Sequence, residues 1–99
     1  MPNAVSPAPP PFTSILIGAL CLHGEISAAE ILTRGRELGL SINAQGRAIA
    51  NLMRDGLISV DADGSGTFRT GAHFADLPQP RRTRGIVAHL GRAKAVAHV

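Results

Sequence analysis

Asp61, Asp63 and Ser65 stand at alternate positions in the run Asp61-Ala62-Asp63-Gly64-Ser65-Gly66-Thr67-Phe68. That spacing sets oxygen donors at the first, third and fifth positions of a calcium loop, with a glycine sixth and an apolar residue eighth. A hard divalent cation is the ligand such a set would take. The pattern then lapses, because Arg69 adds a positive charge and Ala72 stands where a bidentate glutamate would close the shell. The same Asp-Gly and Ser-Gly pairs also supply the positive φ angles of a hairpin loop. Cys21 and His23 could form a nucleophile and base, but no acidic partner accompanies them at an informative spacing. His23, His73, His89 and His98 lie far from one another and from carboxylates at motif spacing, and no glycine-rich phosphate loop follows a strand. No catalytic residue, cofactor or metal is therefore expected.

The elements that would carry these residues follow from the hydrophobic pattern. Residues 1–11 hold five of the seven prolines and form an arm without a core. Thr13 or Ser14 can cap a first helix to His23, with Ile15, Leu16, Ala19, Leu20 and Leu22 inward and Gly24 at its end. Ser27 and Glu30 make a capping box for a second helix from Ala28, whose Ile31, Leu32 and Leu38 face inward. Gly39-Leu40-Ser41-Ile42 is a tight connection, and Ser41 with Asn43 caps a third helix over 43–55. On that helix Ala48, Ile49, Leu52 and Met53 share one face. Gly56 ends it, and Leu57–Asp61 and Thr67–His73 read as two strands of a hairpin. Phe74 and Leu77 fold back onto the first helix, and Pro78 and Pro80 close the compact part. Beyond Arg81 come a linker and a helix, Gly85 to His98, with Ile86, Val87, Leu90, Ala93 and Val96 apolar, which is short enough to need a partner surface. The organisation is thus a proline-rich arm at 1–11, one small domain at 12–77 and a basic, helical tail at 78–99.

Length and charge narrow the classes. Ninety-nine residues allow one domain, and with three Phe and no Trp or Tyr its burial must come from aliphatic side chains. The net charge of +3 is unevenly spread: residues 1–80 carry −2, and residues 81–99, with four Arg, one Lys and no acid, carry +5. A polyanion is one reading of such a tail, and a solvated basic segment is the other. A single cysteine excludes an intrachain disulfide and a cysteine-built zinc site. The apolar run Ile15–Leu22 is too short to span a bilayer, and no Lys or Arg precedes it, so a cytoplasmic protein is expected.

Over residues 12–77 the chain resembles the winged helix-turn-helix families of bacterial transcription regulators. The likeness rests on HGEISAAEIL, the turn GLSI, and NLMRDGLI followed by a Gly-rich hairpin; Leu52, Gly56, Leu57 and Ile58 match the pattern that closes many recognition helices. The resemblance implies a mainly α domain of three helices with a small β-hairpin wing. It implies sequence-specific binding of double-stranded DNA, with Asn43, Ala44, Gln45 and Arg47 facing the major groove and Asn51 one turn further on. Arg54, and Arg69 near the wing tip, would meet phosphates, and Arg81, Arg82 and Arg84 would follow a neighbouring phosphate run. Deleting residues 81–99 is then expected to weaken binding to all DNA alike and to flatten its salt dependence. Gly46 either allows close approach to a DNA backbone or marks a helix packed on protein. Two alternatives stand beside this reading. One is a winged-helix protein-interaction or dimerisation module without DNA readout, in which the tail pairs two copies or binds a protein partner. The other is an EF-hand-like calcium loop at 61–72.

Overall fold

The computed structural model describes residues 11–61, 64 and 66–97. The proline arm before Pro11, and Ala62, Asp63 and Ser65 of the hairpin, lie outside the described residues, and with them two of the three alternating donors of the calcium-loop reading. The chain runs α1 (Pro11–His23), β1 (Glu25–Ser27), α2 (Ala28–Glu37), α3 (Ile42–Arg54), β2 (Ile58–Val60), β3 (Thr67–Thr70), a 3-10 turn (Phe74–Asp76) and α4 (Gln79–Ala97). It is mainly helical, with one small antiparallel sheet ordered β1-β3-β2.

Helix α1 is the axis of the core. From Phe12 to Leu20 every residue is buried except the half-buried Ser14, so α1 is covered around nearly its whole circumference. The expected one-sided stripe is wrong in two places: Ile17 is buried and Leu22 is exposed. The reason is α4, which packs along the side of α1 that the hairpin and the other helices leave open. The two backbones meet at Gly18 and Gly85, where a methyl on either glycine would collide with the other strand of backbone. The start of α1 also differs. Pro11 opens it, a position that needs no N–H, and Thr13 is buried inside it instead of capping it.

Ser27 and Ser41 cap the next two helices as their spacing predicts, each hydroxyl accepting from the backbone N–H three residues on, at 3.1 Å. Gly56, at φ 77°, ends α3, and the N–H of Leu57 reaches back to the Leu52 carbonyl at 3.0 Å. Strand β1 is absent from the sequence reading. Its three residues are too few for an alternating pattern, and it exists because β3 offers a free edge, pairing Glu25, Ile26 and Ser27 with Arg69, Phe68 and Thr67. The inner row of the sheet places Ile26 and Phe68 on the core, and the outer row aligns Glu25, Arg69 and Ser59.

Residues 81–84, expected as a linker, are helical. Helix α4 begins at Gln79, with Pro80 in its first turn, and its inward positions are Arg82, Gly85, Ala88 and His89. Two members of the expected apolar stripe face outward, Val87 at 63% and Leu90 at 50% exposure, while Ile86 is half-buried and the side chains of Ala93 and Val96 lie outside the described ones. Arg82 fixes the helix start, donating from Nη2 to the carbonyls of Ala75 (2.7 Å) and Phe74 (3.2 Å) and from Nε to that of Leu77 (3.1 Å), with its guanidinium over the Phe74 ring.

Candidate nucleic-acid interface

Helix α3 turns Gln45, Ala48, Ile49 and Leu52 toward the core, a register one step different from the expected Ala48, Ile49, Leu52 and Met53. Met53 is exposed, and Gln45, expected in the major groove, is wholly buried at 0% exposure. Its amide Nε2 donates to the Leu40 carbonyl at 3.2 Å, and its Oε1 is buried without a partner. The amide plane lies against Gly35 of α2, where any β-carbon would strike it. A glutamine therefore occupies the α2–α3 junction because a glycine leaves it room, and Gln45 is unavailable for base contact. Ala44 is half-buried, its N–H held by Ser41, so it too is a framework residue.

What remains outward is a continuous strip. Asn43, Gly46, Arg47, Ala50, Asn51 and Arg54 recur at spacings of three and four along α3, and all are exposed. No carboxylate occurs anywhere in α3. Arg54 donates from Nη2 to Asn51 Oδ1 at 2.7 Å, which holds both side chains over the last turn. The strip thus offers two guanidinium groups and two amides, donors and acceptors suited to base edges and phosphates.

The other expected contact residues divide. Arg69 sits mid-strand on β3, in the centre of the sheet and away from the hairpin tip, because β1 pairs on its far side. Its Nε binds Asp61 at 2.7 Å and its Nη1 binds Glu25, so its charge is already matched. Arg82, half-buried, is committed to the three carbonyls described above. Arg81 is half-buried and Arg84 exposed on α4, both compatible with an outer contact.

One cluster has no signal in the sequence because its members lie 55 residues apart. Arg34 of α2 donates from Nη1 to Nδ1 of the buried His89 at 3.0 Å, and the His23 ring meets His89 edge-on at 5.6 Å. Burial first, then the nearby Arg34 and His23 charges, push the His89 pKa below its ordinary value, with Glu30 opposing. His89 is therefore a neutral acceptor joining α2 to α4. Burial also pushes the Cys21 thiol up, against a smaller pull from Arg82, which disfavours the thiolate that a nucleophile would need. Asp61, the one calcium-loop carboxylate that is described, is engaged by Arg69, and residues 67–70 form strand β3. Among the described residues no group of three or more His, Cys, Asp or Glu could hold a metal ion. No described helix is long and apolar enough to cross a membrane. No protein-family model, curated protein or solved structure matches this chain.

Proposed function

We propose that the chain is a winged helix-turn-helix protein that binds double-stranded DNA in a sequence-specific manner, as a transcriptional regulator does. Helices α2 and α3 with the turn between them serve as the helix-turn-helix, β2 and β3 as the wing, and α3 as the reader. The element order and the β1-β3-β2 sheet are compatible with that fold. The observation that carries the reading is the carboxylate-free outer strip of α3, on which Asn43, Arg47, Asn51 and Arg54 are exposed together. Arg and Asn are the side chains that pair bidentately with guanine and adenine edges. Arg81 and Arg84 supply phosphate contacts from α4.

A binding assay against genomic duplex fragments at several salt concentrations tests this. Arg47→Ala and Asn51→Ala are each expected to lose about 1–3 kcal/mol on the preferred fragment and to flatten sequence preference. Indifference of both variants would remove base readout.

A second reading, a dimerisation or protein-interaction module, is favoured by the exposed Val87 and Leu90 on α4. Ile42, 64% exposed at the start of α3, adds a further apolar side chain beside the strip. The two readings combine if a second copy covers α4. Sedimentation of wild type and Val87→Glu/Leu90→Glu tests the α4 contact: loss of a dimer with unchanged unfolding places it on α4, and a monomeric wild type removes a second copy as its occupant.

A further inference from the structure

Helix α3 carries a glycine that the fold does not require. Gly46 lies inside the helix without a left-handed φ, it is exposed, and a methyl built on it would meet nothing within 4 Å. Almost every other described glycine has a structural reason. Gly24, Gly39, Gly56, Gly64 and Gly66 have positive φ, while Gly18, Gly35, Gly71 and Gly85 are pressed against neighbouring groups. Glycine in a helix interior is less favourable than alanine, so Gly46 weakens α3 without return inside this chain. Gly91 of α4 is equally open, but on the surface it neighbours the apolar Val87 and Leu90. Gly46 instead lies between Asn43 and Ala50 along the strip, with Arg47 beside it.

We infer that Gly46 is the clearance through which the α3 backbone makes its closest approach to duplex DNA. With no β-carbon at Gly46 and only a methyl at Ala50, the helix can sink into the groove until the short Asn43 side chain, as well as the longer Arg47, reaches a base edge. The packing alternative for Gly46 is removed within the chain by the empty space above it. This inference rests on the DNA reading, and it adds a residue whose contribution is the absence of a side chain.

The test uses the full chain as wild type, Gly46→Ala and Gly91→Ala, with thermal unfolding and binding to the best-bound genomic duplex fragment measured side by side. Both variants are expected to raise the melting temperature by about 4–8 °C, the usual gain from an unstrained helical Gly→Ala change in a domain of this size. Gly46→Ala is expected to bind the fragment about tenfold more weakly or worse, the loss of one good base contact. Gly91→Ala should bind as wild type does. A Gly46→Ala protein that binds as tightly as wild type, or that melts lower, overturns the inference while leaving the DNA reading intact. A wild-type chain that binds no duplex overturns the DNA reading and the inference with it.

Discussion

Single residues in this protein divide into those whose role is local and those whose role is made by distant partners. Ser27, Ser41 and Gly56 belong to the first kind. Gly56 combines φ 77° with the His73 ring beside it, so Gly56→Ala should cost about 1–3 kcal/mol in urea unfolding. Gln45 and Arg82 belong to the second. On sequence alone a glutamine in the first turn of α3 and an arginine in a basic run look solvent-facing; Gly35 and the carbonyls of Phe74, Ala75 and Leu77 make them internal. Caps were legible because their hydrogen bonds span three residues, whereas these contacts depend on how elements meet. His89 gives the residue scale a pH signature. Its folded pKa lies below the ordinary 6.5, so its contribution is fully present above that value and is lost as the pH falls through the lower folded one. Wild-type stability should therefore drop as the pH falls below 6.5 by more than that of His89→Gln, compared as urea midpoints.

At the scale of elements, α4 decides more than its sequence suggests. The apolar pattern pointed to Val87 and Leu90 as its inner face, but the inner face is Gly85 and His89 with the Arg82 stem. Hydropathy could not reveal this, because a glycine contributes to packing by removing volume and a buried histidine by accepting one hydrogen bond. Gly85→Val should separate α4 from α1 and cost about 1–3 kcal/mol or more, seen in thermal unfolding. Arg82→Ala should also destabilise, because three carbonyls lose the guanidinium and only that of Phe74 keeps another donor among those described, the Leu77 N–H. The expected test by deleting residues 81–99 is corrected on the same ground: it would strip the cover from α1 and report unfolding. Three helices, the turn between α2 and α3 and the hairpin were legible from caps and periodicity. Strand β1 was not, since its pairing partner lies more than forty residues away in Arg69.

For the whole molecule, charge and shape set how it would meet a polyanion. Arg69 and Arg82 are satisfied internally, so the sheet adds little to electrostatic attraction and the outward cations of α3 and α4 must supply it. The double variant Arg81→Ala/Arg84→Ala is expected to reduce the slope of log affinity against log salt by about 2 while leaving the melting temperature in place. Helix α4 has a further consequence. It is tied at three points, the Arg82 carbonyl clamp, the Gly18–Gly85 contact and the Arg34–His89 hydrogen bond, and its 19 residues form a rod about 28 Å long. If two copies join through Val87 and Leu90, that rod fixes the distance and rotation between their two α3 helices. The dimer would then measure DNA as well as read it: inserting about five base pairs, half a helical turn, between half-sites would put one reader on the wrong side of the duplex.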